Sequence, residues 1–245
     1  MKLYNQILQT GNYLFKYRGQ IPVFLLILVI PIIYETTYYN LLKTHITSII
    51  QYFGLLISIL GLFVRYITIA TTPKGTSGRN RNLQIAEELN TKGIYSIVRN
   101  PLYLANFIIW VGISLYSLSY ILTILICLLF IIKYERIILV EEDFLSRKFG
   151  SQYEDFSQKT SIFFPKFTNY IKSNHKFSFK KILRQEYSSS LSVIISFIFI
   201  DLILGFSSTG NITITQIHIT ILSLSLALTL VLKILKTYTE ILNEK

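Results

Sequence analysis

Three stretches of the sequence combine residue types that can do chemistry. In Gly93-Ile-Tyr95-Ser-Ile-Val-Arg99-Asn100-Pro101-Leu-Tyr103-Leu-Ala105-Asn106, an arginine and an asparagine precede a proline. Proline keeps the residue before it extended and suits the first helical position. A helix is therefore predicted to open at Pro101, with its free N–H groups and positive dipole end beside Arg99. That arrangement receives a carboxylate or a phosphate. The second stretch, Glu141-Glu142, is a carboxylate pair suited to a cation. Brought together, the two would frame a pocket for a zwitterion, or for any ligand carrying both a carboxylate and a cation. Each alone has a plainer reading: an arginine snorkelling beside a helix start, and acidic residues flanking an apolar segment. In the third stretch Phe144, Leu145, Phe149, Tyr153 and Phe156 recur at helical steps, with Arg147, Lys148 and Glu154 elsewhere around the turn. This predicts a helix lying in an interface, either covering the pocket as far as Phe163-Phe164-Pro165 or serving only as an anchor.

The elements that would position these groups follow from composition. Of the 245 residues 51% are hydrophobic and 15% charged, against about 25% charged in soluble domains. Seventeen Phe and seventeen Tyr argue against disorder, and a single cysteine, Cys127, excludes an internal disulfide or a multi-cysteine metal site. The reading is an all-α polytopic membrane bundle of about six transmembrane helices plus an interfacial amphipathic helix, and no metal is expected. At roughly 20 apolar residues per crossing, the spans fall near 21–39 (kinked at Pro31), 46–68, 102–118, 120–140, 190–206 and 213–235. Spans three and four, joined only by Ser117-Leu118-Ser119, must form a hairpin, which brings Glu141-Glu142 to the depth of Arg99. Residues 1–20 lack a continuous apolar core, so no cleavable signal is expected. All but Lys43 of the 24 Lys and Arg residues fall on one side of this topology. By the positive-inside rule that side is cytoplasmic and holds both termini. The formal charge of +11 would draw anionic headgroups to that side. The chain divides into an N-terminal helix and arm (1–45), a core (46–165), and a basic arm with a C-terminal helix pair (166–245), all in one membrane domain.

Other residues stand outside this constellation. Arg65 is expected to snorkel. Asp201, ionisable within span five, either lines a headgroup path or pairs with His218. Segment 166–187 mixes six basic residues with Phe167, Tyr170, Phe177, Phe179 and Tyr187; beside a bilayer this reads as a lipid-contacting arm rather than a nucleic-acid surface. Trp110 reads as packing, and Asn211-Ile-Thr213 as a glycosylation sequon relevant only to a eukaryotic source.

Taken in order, Gly-x-Tyr-x-x-Val-Arg-Asn-Pro-x-Tyr, the hydrophobic hairpin, Glu-Glu-x-x-Leu-x-x-x-Phe-Gly-x-x-Tyr and a closing Phe-Pro resemble the integral-membrane methyltransferases over about 50–165. That superfamily includes isoprenylcysteine carboxyl methyltransferases and phospholipid N-methyltransferases. Leu-Phe-Lys-Tyr-Arg-Gly-Gln-Ile-Pro (14–22), the loop at 75–80 and the additional C-terminal helix pair look most like bacterial members of the lipid A phosphate methyltransferase type. The resemblance implies S-adenosylmethionine as cofactor, with Tyr95, Arg99, Asn100, Pro101, Tyr103, Glu141 and Glu142 as its contacts and Arg99 and Asn100 as the candidate catalytic pair. The sequence departs from the pattern at Asn100, where histidine is usual, and at Ala105, where glycine is frequent. Asparagine donates and accepts hydrogen bonds but does not titrate near neutrality. None of the three histidines lies in the constellation, which favours a carboxylate or phosphate acceptor that needs no base. The rival expectations are phospholipid N-methylation, a nicotinamide-dependent reductase of the sterol type, and a non-catalytic transporter or scaffold.

Overall fold

The structure, a computed structural model, describes residues 2–20, 26–27, 29–33, 45–73 and 84–243. Most of predicted span one, Lys43 and the loop at 75–80 lie outside the described residues. Among the described residues lie seven α-helices: α1 (Leu3–Tyr17), α2 (His45–Thr71), α3 (Pro101–Tyr116), α4 (Tyr120–Phe149), α5 (Ser151–Lys159), α6 (Phe179–Thr209) and α7 (Gln216–Tyr238). A helical stretch also occupies 29–33. Among the described residues there is no strand, only an isolated antiparallel bridge between Gly93 and Ile171.

The all-helical reading holds. Within α2, α6 and α7 lie stretches long and apolar enough to cross a bilayer. At 16 residues α3 measures about 24 Å, and α4 carries Lys133, Glu135 and Arg136 in its middle. The α3–α4 hairpin forms over Ser117-Leu118-Ser119, where Ser119 Oγ caps α4 by accepting from Leu122 N at 3.2 Å.

A seam of small residues joins α2 to α3. Side chains at Gly54 and Gly61 would collide with the backbone carbonyls of Gly112 and Ala105, and Ser58 Oγ donates to Ile109 O at 2.8 Å. Small residues let two helix backbones approach this closely, and the contact fixes the height of Arg65 against Asn106. Likewise Gly11 brings α1 onto α4 at the Arg136 carbonyl. Val29, Ile33, Ile109, Ile113, Leu122, Ile126 and Ile200 form the apolar core at one end. Nearer the basic end Phe130, Tyr134 and Ile138 pack with Tyr103, Phe107 and Phe163.

Three expectations are corrected. The helix predicted over 141–156 is two pieces: α4 runs unbroken to Phe149, and Gly150 turns the chain into α5 at φ +52°. That backbone region favours glycine, so the apolar periodicity continued across a break it could not reveal. Arg65 does not snorkel but is held by Glu186 of α6. The 166–187 arm is only partly a peripheral surface: α6 begins eleven residues before the predicted span, capped by Ser178 Oγ accepting from Lys181 N at 3.3 Å. Lys181 is buried and donates to the Thr72 carbonyl, while Phe167, Tyr170, Phe177 and Phe179 remain exposed.

Candidate active site

The chemistry-bearing residues converge because three chain segments are tied at one end of the bundle. The Gly93–Asn100 stretch is clamped by the chain returning from α5. Arg99 N donates to Ser161 O at 2.9 Å, Lys166 N to Ile97 O at 2.9 Å, and Gly93 N to Ile171 O at 2.8 Å. Ser96 Oγ donates to Gly93 O and accepts from Ile171 N. Pro101 opens α3 as predicted. The Asn100 amide does not cap that helix; it donates to Ile162 O at 3.2 Å and so closes the clamp.

Against this clamp the hairpin returns the carboxylates. Arg99 Nη1 lies 2.8 Å from Glu142 Oε1 and 3.4 Å from the Tyr153 hydroxyl, to which it donates. Tyr103 OH donates to Glu141 Oε1 at 2.7 Å. Burial pushes the Glu141 carboxyl up to about 7; the Tyr103 hydrogen bond and the Arg18 charge oppose the rise, and the Glu142 charge adds to it. Burial, then the Glu141 charge, holds the Tyr95 phenol above its usual range. Burial, then the Glu142 charge, does the same for Tyr153.

These groups line one cavity of about 530 Å³, and all seven sequence-predicted residues are in its wall. The volume is ordinary for a small-molecule site. Phe144, Leu145, Tyr153 and Phe156 of the predicted apolar stripe line it as well. Two buried donors there have no hydrogen-bond partner: Arg99 Nε and Gln84 Nε2. Unpaired buried donors are costly in an apolar protein, and both would suit a ligand carboxylate. The wall thus offers donors and a guanidinium beside two carboxyl groups, which fits an amino-acid zwitterion carrying an additional cation. Among the described residues no three His, Cys, Asp or Glu side chains gather as a metal site.

Sequence reasoning missed part of the wall. Arg18 arrives from the turn after α1, with its guanidinium 3.9 Å from the Phe15 ring centroid. Glu186, Ser188 and Ser189 arrive from α6. A glutamate two turns into a helix otherwise rich in Lys, Arg and Ser was the available signal for Glu186. For Arg18 the sequence offered only its place in a bacterial-type motif. Asp201 takes the second of its predicted roles: it pairs with His218 and lies outside the cavity.

Residues 49–152 match the family model described as phospholipid methyltransferase. The chain is 38% identical over 79 residues to a nickel-cobalt-cadmium resistance protein, NccN, of Alcaligenes xylosoxydans xylosoxydans, covering 32% of this chain and 37% of that protein. It is 31% identical over 94 residues to a cobalt-zinc-cadmium resistance protein, CzcN, of Cupriavidus metallidurans, covering 38% and 41%. It is 30% identical over 112 residues to a probable protein-S-isoprenylcysteine O-methyltransferase of Oryza sativa subsp. indica, covering 45% and 58%. These matches span about two fifths to three fifths of the relatives' own length. No solved structure matches.

Proposed function

We propose that the protein is an S-adenosylmethionine-dependent methyltransferase of a cytoplasmic membrane, acting on an oxyanion of a lipid or lipidated acceptor. The observation that carries this reading is the meeting of Arg99 with Glu142, and of Tyr103 with Glu141, around a single cavity with two unpaired donors. The family match over 49–152 supports the reaction class. In this reading the bundle crosses the bilayer six times, with its basic end and both termini in the cytoplasm; cofactor enters from that side and the acceptor from the bilayer. A lipid phosphate, as in lipid A, or a carboxylate suits the basic face.

When bound, the cofactor supplies an already activated methyl group on a sulfonium, so the protein's task is alignment and exclusion of water. Positioning of that kind is worth about 7–11 kcal/mol. Arg99 Nε and Gln84 Nε2, the two unpaired donors, would hold the cofactor carboxylate, while Glu142 and ionised Glu141 would receive its cationic groups. Tyr103 fixes the Glu141 carboxylate, and Tyr153 fixes the Arg99 fork. Asn100, bound to Ile162 O, keeps the clamp shut and exchanges no proton. Phe144, Leu145 and Phe156 keep the site dry. Because the sulfonium charge disappears during transfer, the carboxylates serve best at the amino-acid end, where they do not favour the ground state.

One observation favours a second reading. A carboxyl titrating at about 7 is poised as a general base, so Glu141 could take the proton from an amine acceptor. One experiment separates the two. Purified protein is incubated with membrane lipids and methyl-labelled S-adenosylmethionine, and the labelled lipid is treated with mild alkali. A carboxylate methyl ester releases label as methanol, whereas a methyl phosphodiester and an N-methyl amine both survive and are told apart by the mass of the labelled headgroup. Absence of label in every lipid, with cofactor binding unchanged in an Arg99→Ala/Glu142→Ala variant, overturns the proposal.

A further inference from the structure

The cavity has a second polar wall, away from Arg99, built from α2 and α6. Arg65 Nε donates to Glu186 Oε2 at 2.7 Å and Nη2 to Oε1 at 3.1 Å, with Glu186 only 1% exposed. Nη2 also reaches Ser189 Oγ at 3.4 Å, and Nη1 donates to Asn106 Oδ1. Asn106 Nδ2 in turn donates to Tyr134 OH at 3.2 Å. Four helices therefore hold one guanidinium in a fixed orientation, and Arg65, Asn106, Tyr134, Glu186, Ser188 and Ser189 all line the cavity.

The hydrogen-bond inventory of this wall is one-sided. Both Glu186 oxygens and Asn106 Oδ1 accept from Arg65. Arginine carries five N–H groups, and the contacts to described residues use four. One N–H on Nη1 is left over, together with the hydroxyl protons of Ser189 and Tyr134 and the hydroxyl of Ser188. Each carboxylate and amide oxygen of this wall already accepts from Arg65, and the N–H and O–H groups left over suit an oxyanion.

We infer that this wall is the acceptor subsite: the phosphate or carboxylate of the lipid docks on Arg65, Ser188, Ser189 and Tyr134, with Glu186 holding the guanidinium in place. The inference rests on the methyltransferase reading and names the substrate chemistry of the same cavity. The subsite joins Arg65 and Tyr134, inside the matched residues 49–152, to Glu186, Ser188 and Ser189 of α6, which lie beyond them.

The test uses the full chain in detergent and reads binding before activity. The probes are radiolabelled short-chain phosphatidic acid, a lipid carboxylate (N-acetylfarnesylcysteine), and phosphatidylcholine as control. Removing Arg65 alone would strand a buried carboxylate, so the informative variant is Arg65→Gln/Glu186→Gln, which keeps the shape and removes both charges. Replacing a buried ion pair in this way is often neutral for folding, and thermal unfolding confirms that the variant is intact. Wild type is expected to retain at least one anionic probe over the control. The double variant should lose tenfold or more of that affinity while its S-adenosylmethionine affinity stays within twofold. The milder Ser188→Ala/Ser189→Ala variant should lose threefold to tenfold, and which probe is retained identifies phosphate or carboxylate. Equal retention by wild type and a folded double variant makes the pair a brace and overturns the inference. Wild type that ignores both anionic probes overturns it too. Wild type that binds an anionic probe but no S-adenosylmethionine defeats the methyltransferase reading instead.

Discussion

Two of the polar clusters among the described residues of this apolar chain differ in what they leave unsatisfied. At the end of the bundle opposite the cavity, Asp201 Oδ1 accepts from Tyr116 OH at 3.1 Å and Oδ2 lies 3.0 Å from His218 Nε2. His218 Nδ1 accepts from Thr215 N, and Thr215 Oγ1 from His218 N, closing a capping box on α7. Both imidazole nitrogens and both carboxylate oxygens of this cluster are engaged, and none of its residues lines the cavity. Around Arg99 and Glu142, by contrast, a cavity opens and two buried donors stay unpaired. An ionisable residue inside an apolar segment is commonly read as functional; here saturation of its hydrogen bonds separates a brace from a site.

The sharpest way to break that distinction is Arg99→Ala. It removes the guanidinium and the orphaned Nε together, so affinity for the methyl donor should fall 100-fold or more by calorimetry. Because neither partner of the pair is deeply buried (12% and 28% exposed), unfolding should move by only a few degrees. Glu142→Gln keeps a hydrogen-bond acceptor and should cost about tenfold, in line with the loss of one charge-assisted contact. Unchanged donor affinity in both variants would place the cavity's role elsewhere.

The next effect is one of pH. Glu141 titrates at about 7, above the ordinary carboxylate range. A cationic ligand favours its ionised form, so donor affinity should rise by up to about tenfold per pH unit below 7 and level off above it. Stability runs the other way. The folded chain holds this proton more firmly than the unfolded chain. Its contribution is therefore complete at pH below the unfolded carboxylate value and is lost as pH rises through about 7. Glu141→Gln should flatten both profiles, as read by calorimetry and by thermal unfolding between pH 5 and 8.

How much of this could be read in the sequence depends on the range of each interaction. Pro101 as a helix start, the turn at 117–119 and the return of Glu141-Glu142 to Arg99 are consequences of local backbone rules and one hairpin, and they were legible. The break at Gly150 was not, because a glycine within an apolar periodicity does not announce its φ. The Arg65–Glu186 pair spans 121 residues and depends on how α6 packs against α2, which no spacing encodes. Span counting reached its limit where α3 is short and α4 mixes charge with apolar residues, since length and hydropathy alone then stop marking a crossing.

Within the site, Tyr103→Phe tests a smaller contribution. It deletes one hydrogen bond to Glu141, worth about 1 kcal/mol, so donor affinity should fall about fivefold at pH 7. Since that bond lowers the Glu141 value, the midpoint of the affinity profile should also move to higher pH. A fivefold loss without the shift would mean that Tyr103 touches the ligand rather than the carboxylate.

The least effect on binding is expected from Asp201→Asn. His218 Nδ1 accepts from the Thr215 N–H, so the proton of the neutral ring sits on Nε2 and points at Asp201. Tyr116 points a second proton at the same carboxylate. An asparagine offers one acceptor and one donor to two donors, so one hydrogen bond is lost, at about 1–2 kcal/mol. The melting temperature should drop by a few degrees while donor affinity and methyl transfer stay within twofold. If transfer instead falls with stability intact, the saturated cluster at the far end is coupled to the cavity through α3 and α6, and a fully bonded polar group can no longer be set aside as a brace.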